Sequence, residues 1–320
     1  MHVFSCLEVE GSFYDSDYGM KHHFTLLDED YEEWNKYAKK CMTLGCNAEL
    51  YAVLFQLPSF IPAEDIDMVI SSFDNISEAV TEGTIDNLIA SYPELFDTLP
   101  IYAPKRVFDD HFKKLHTHND IIQEVISTFK KILSGLWERF YAEYWENEGK
   151  VKLEKRAKNL NTIISPINII SAWQKVLKLE FPYPEFIAVL VEPTNTIAAN
   201  LLAESIMISL KPEDKEVYKI ITHEIGRSFL LNTQIFENEK LKALAESNID
   251  KLSLIIDAAI IHIKGSLFET LRIRTDESDP YIVPGIKDVI ILFGSIFDAM
   301  EEKDIFEAIV QTYNKLSPVA

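Results

Sequence analysis

The sequence predicts a predominantly helical α+β protein with one small sheet. Three observations carry this. Apolar residues recur at i, i+3 and i+4 over most of the chain. Two short apolar runs, at 186–191 and 201–208, lie close together and read as strands. Only 10 Gly and 13 Pro occur in 320 residues, too few for a fibrous or low-complexity chain. With 47% hydrophobic and 26% charged residues, the chain suits one or two compact domains with a sizeable core.

Residues 1–27 hold short alternating or aromatic runs, 2–9 and 22–27, around a segment rich in Gly, Ser, Asp and Tyr, and predict a β-hairpin. From residue 28 to about 102 the pattern turns helical. Tyr31, Trp34, Tyr37 and Ala38 share one face, and 64–80 repeats the spacing. Pro58, Pro62, Pro93, Pro100 and Pro104 punctuate these helices. A long helical pattern follows over 120–159, with Ile121, Val125, Phe129, Ile132 and Leu136 on its early stripe. Ser165-Pro166 opens another helix over 167–179, with Pro at the favoured first position. The chain is read as a mainly helical N-terminal region, 1–160, and a C-terminal region, 161–320, that holds the sheet.

After the two strand runs, Lys211-Pro212-Glu213-Asp214 has the acidic first turn of a helix. Val217, Ile220, Ile221, Ile225 and Phe229 then mark an amphipathic helix. Continuing that stripe lands on Glu224, where a core helix would place an aliphatic residue. His223 and Arg227 lie one turn apart beside it. A carboxylate on an apolar face needs a partner, because burying it alone costs several kcal/mol. Residues 237–245 read as a polar helix, and 252–263 as a buried one interrupted by Asp257 and His262. Those two lie about 140° apart around the helix and so point to different places. Helical patterns over 286–302 and 304–316 close the chain.

His223-Glu224-Ile225-Gly226-Arg227, preceded by strand, loop, strand and acidic turn, resembles the core of the zincin metallopeptidases, specifically the gluzincin type. The resemblance covers residues 179–263. In those enzymes H-E-x-x-H places two imidazoles on one helix face, with the Glu beside the metal-bound water as general base. It implies His223 as a metal ligand, Glu224 as the catalytic base and zinc as the cofactor. A later helix supplies the third ligand, a place Asp257 would take. It also implies that the strand before the helix is an edge strand along which extended substrate lies. Here the second His is Arg227, a permanent cation that cannot ligate zinc. The expected cofactor is therefore none or zinc, and Arg227 is read as the charge-compensating residue for Glu224 and Asp257.

Composition narrows the partners. A formal charge of −20 argues against nucleic acid and anionic membranes, which need a basic footprint. No apolar run approaches the ~20 residues of a spanning helix, so no membrane insertion is expected. Three cysteines at no zinc-site spacing point to a reducing compartment, and no leader pattern follows Met1, so a cytoplasmic location is expected unless a leader was removed. Cys41 and Cys46 read as core residues. The cluster Asp109, Asp110, His111, His116 and His118 reads as a solvated helix end. P-loop, dinucleotide and nucleophile-elbow motifs are absent from the sequence. Three readings stay open: a degenerate metallopeptidase-fold protein that binds a peptide or protein along an edge strand, an active zinc peptidase with atypical ligands, and a helical interaction protein with a coincidental His-Glu match.

Overall fold

The structure, a computed structural model, describes residues 16–316 apart from 23–25, 52, 55–56, 62–64, 94–104, 193, 195–197, 203, 234–237, 271–280 and 284. It is predominantly helical with one small sheet, the α+β class expected. The chain divides into two compact units. The first comprises Met1–Ala157, Val189–Leu202 and Met207–Lys211; the second comprises Lys158–Ala188, Ala203–Ile206 and Pro212–Ala320.

In the first unit the helices are α1 (Ser16–His22), α2 (Asp28–Thr43), α3 (Asn47–Tyr51), α4 (Leu57–Phe60), α5 (Ile66–Glu82), α6 (Asp86–Ser91), α7 (Lys105–His116) and α8 (Asn119–Arg139). The first run of the expected hairpin lies outside the described residues. Ser16–His22, where a turn and the start of a strand were expected, is helix. Its i, i+4 spacing brings Tyr18 and His22 to one side, where the His22 ring meets Tyr18 at 4.4 Å and Tyr144 at 4.1 Å. The α2, α5 and α8 stripes bury Trp34, Phe73, Ile76, Val125, Phe129 and Ile132 in one core. The α5 helix starts where Asp65 Oδ1 accepts from Met68 N at 2.8 Å. It stops at Gly83, whose φ of 68° is the left-handed value that a non-glycine residue adopts at a cost.

The long pattern over 120–159 is three pieces in the structure. The α8 helix passes into a π-helical segment, Phe140–Gly149, and then into α9 (Lys150–Ile164). Cys41 and Cys46 are fully buried. His116 Nδ1 faces Val80 O at 3.2 Å, and Asp109 Oδ1 accepts from Ile85 N at 3.3 Å, so these members of the His/Asp cluster tie helix ends together.

A helix α10 (Ile169–Leu177), capped by Asn168 Oδ1 on Ser171 N at 2.9 Å, precedes the strands β1 (Ile187–Val191), β2 (Ala198–Leu202) and β3 (Ser205–Ser209). The sheet order is β1-β3-β2. Ile187 N donates to Glu204 O and Leu210 N to Val191 O, the ascending register of a parallel β1–β3 pair. The two-residue connection from β2 to β3 is the length of an antiparallel hairpin. Thus the single strand expected over 201–208 spans the end of β2 and most of β3. This corrects the edge-strand expectation: β3, the strand that leads into the His-Glu helix, is the middle strand, bonded on both sides. Its five residues are all buried, as a central strand requires.

The second unit continues with α11 (Asp214–Arg227), a π-helical segment Ser228–Thr233, α12 (Glu239–Thr270), α13 (Ile286–Ala299) and α14 (Ile305–Lys315). Glu213 and Glu216 form a capping box at the start of α11, so the acidic turn seen in the sequence caps the helix N-terminus. The α12 helix breaks at Asn248, which leaves helical φ/ψ and caps Lys251 N at 2.9 Å. No helix among the described residues is long and apolar enough to cross a membrane.

Candidate functional site

The α11 helix is buried within the second unit. All ten residues Val217–Gly226 are buried, including Lys219, Thr222, His223 and Glu224. The sequence pattern predicted a polar face; the structure buries that face as well. Trp173 of α10 is fully buried and its indole N–H donates to Thr222 O at 2.9 Å. Gly226 lets this packing happen. A Cβ there would stand 2.8 Å from Trp173 Cζ2 and 3.1 Å from Ile260 Cγ2. Neither group is a flexible chain end, so Gly226→Ala is expected to destabilise the fold by about 1–3 kcal/mol, read from chemical unfolding.

The polar groups of α11 meet a second set on α12. Arg227 Nε is 3.1 Å from Asp257 Oδ1, and His223 Nε2 is 3.5 Å from the same oxygen. Arg227 Nη2 also reaches Ser253 Oγ at 3.4 Å, one turn before Asp257 on α12. On the other side of the imidazole, Lys264 Nζ is 3.5 Å from His223 Nδ1. Tyr281 lies flat on the His223 ring, with centroids 3.6 Å apart and planes within 7°. Its hydroxyl donates to Glu224 Oε1 at 2.6 Å. Glu224 Oε2 is buried with no hydrogen-bond partner among the described residues.

Burial raises the Asp257 pKa above the usual carboxylate value, opposed first by Arg227 and then by Lys264. The Tyr281 phenol is pushed well above its ordinary value by burial and then by the Glu224 carboxylate. It therefore stays protonated and remains a donor to Glu224.

These contacts correct one expectation. A single cation does not serve both carboxylates: Arg227 pairs with Asp257, and Glu224 is held by Tyr281. The physical reason is reach. Arg227 extends from α11 to the Ser253–Asp257 face of α12, whereas Glu224 one turn back meets the Tyr281 hydroxyl. His223, Arg227 and Asp257 do come together, and Glu224 adjoins them through the His223–Tyr281 stack. His262 belongs elsewhere, 3.3 Å from Asp298.

Two participants escaped the sequence reading. Lys264 had a signal: Ser253, Asp257 and Lys264 recur at i, i+4 and i+11 along one stripe of an otherwise apolar helix. Tyr281 had none, because it lies 57 positions from Glu224 in the chain.

The donor set does not fit zinc. Among the described residues the ligands that the resemblance implies are two, His223 and Asp257, and Arg227 Nε lies 3.1 Å from the Asp257 oxygen that faces the imidazole. Among the described residues no group of three or more His, Cys, Asp and Glu is arranged to hold a metal ion.

Comparison with protein-family models, with curated proteins and with solved structures finds no match.

Proposed function

We propose that this chain is a degenerate metallopeptidase-fold protein in which an arginine has taken the place of the metal, leaving a site that does not hydrolyse peptides. The observation that carries the reading is the Arg227 guanidinium against Asp257 Oδ1, with His223 Nε2 on the same oxygen. A positive charge thus stands beside the residue at the third-ligand place, on the same oxygen that the first motif residue faces. The capped acidic turn and the His-Glu-x-Gly helix support the same origin. Peptide or protein binding is the remaining use of such a scaffold. Since β3 is bonded on both sides, the outer strand β2 is the proposed docking edge.

One observation favours a second reading, an active peptidase with atypical ligands. Glu224 Oε2 is a buried acceptor without a described partner, the state of a base waiting for a proton. The two readings separate in one experiment. Parent protein and Glu224→Gln are assayed against a mixed peptide library, with and without added zinc. The degenerate reading expects equal, background turnover in both. Turnover in the parent that Glu224→Gln removes, with an unchanged melting curve, would establish the peptidase instead.

A further inference from the structure

Among the described residues Arg227 is joined in this site by a second cation, Lys264. Lys264 is 1% exposed, and its ammonium faces His223 Nδ1 at 3.5 Å. An ammonium carries only hydrogens and accepts nothing. The Nδ1 that faces it must therefore offer its lone pair. A neutral imidazole has one proton, which leaves that proton on Nε2. Nε2 in turn faces Asp257 Oδ1 at 3.5 Å, an acceptor. The Lys264 contact thus selects this tautomer and the nearby Asp257 oxygen is compatible with it, although Nε2 and Oδ1 are not aligned as a hydrogen bond. A ring carrying both protons would set two donors against each other at Lys264. The flat stack on Tyr281 holds the ring in the plane where these contacts form.

A zinc-ligating imidazole bound through Nε2 needs the opposite arrangement. Its Nε2 must be bare, and its Nδ1–H must donate to a carbonyl, carboxylate or water. Here Nδ1 faces a donor and cannot play that part. Ligation through Nδ1 is closed too, because Lys264 stands in that direction.

We infer that Lys264 is a positioning residue that holds His223 in the Nε2–H tautomer, and that Lys264 and Arg227 together close the site to zinc. The zinc half rests on the metallopeptidase reading proposed above; the tautomer half does not. Restoring the missing histidine at 227 is then insufficient, since the first histidine remains wired the wrong way.

Two measurements test this. Long-range proton–nitrogen NMR spectra of the full chain labelled at histidine nitrogens report which His223 nitrogen carries the proton. The expected result is Nε2–H in the parent and a shift towards Nδ1–H in Lys264→Met. A parent spectrum with Nδ1–H overturns the tautomer assignment. Zinc sulfate is then titrated calorimetrically into chelator-treated Arg227→His, Lys264→Met and the double variant. The double variant is expected to bind at least tenfold more tightly than Arg227→His, the scale on which partners of a ligating His act. Equal affinity of Arg227→His and the double variant overturns the role of Lys264 in excluding zinc. A double variant that melts cooperatively yet binds no zinc overturns the zinc half together with the metallopeptidase reading, while the NMR result stands alone. Should Lys264→Met fail to fold, Lys264→Gln replaces it, because its amide can offer Nδ1 an acceptor.

Discussion

Replacing Arg227 with Ala is expected to cost about 3 kcal/mol of unfolding free energy near neutral pH, the low end for breaking a buried ion pair by removing one partner. The low end applies because both side chains retain some exposure, 17% for Arg227 and 22% for Asp257. The deficit should depend on pH, and its sign follows from Asp257. Burial sets the folded pKa of Asp257 above the unfolded value. The folded state therefore binds this proton more tightly, and the associated stability is full below about pH 4 and is lost as pH rises through the folded pKa. Removing Arg227 deletes the larger of the two attractions that oppose burial, so the folded pKa climbs further. The loss then extends over a wider pH range in Arg227→Ala than in the parent. Urea unfolding between about pH 4 and 8 checks this, with a deficit that is small in acid and grows towards neutrality. Asp257→Asn should flatten the difference between the two profiles. A deficit under about 0.5 kcal/mol at all pH values would mean that the pair is solvated, and the proposed replacement of metal by arginine would lose its physical basis.

A larger effect is expected at Trp173. Trp173→Ala should cost about 4 kcal/mol, because the indole is fully buried against the middle of α11 and the void left behind cannot close against Gly226. Part of that cost is the hydrogen bond to Thr222 O. Trp173→Phe separates the two contributions by keeping most of the apolar volume and removing the N–H. That variant is expected to lose about 1–2 kcal/mol, combining a lost hydrogen bond with the smaller ring. The Phe change should also leave the site one turn away assembled, so the His223 ring should keep its stack on Tyr281, visible as ring-current-shifted His223 resonances. If Trp173→Ala proved nearly neutral, the α10–α11 contact could not be what holds the helix in place.

Much of the architecture was legible from periodicity. The α5, α8, α13 and α14 helices fall where a 3.6-residue repeat of apolar positions placed helices. The acidic turn before α11 was legible because helix N-termini need side-chain acceptors within a few residues, a local requirement written locally. The oddity of Glu224 could be seen too, since a carboxylate on an apolar stripe violates burial energetics whatever its neighbours are.

Partners were a different matter. Whether 201–208 was one strand or two depended on where β3 found hydrogen-bonding neighbours, and apolar runs look alike in either case. The cation that meets Asp257, the phenol that meets Glu224 and the ammonium behind His223 come from residues 30 to 57 positions away in the chain. Sequence spacing constrains contacts only along one helix, so it could show that Glu224 and Asp257 each needed a partner. Which groups answered was decided by the packing of α11 on α12 and by the placing of Tyr281 over His223, because that packing sets distance, and distance sets the strength of every polar interaction in the site.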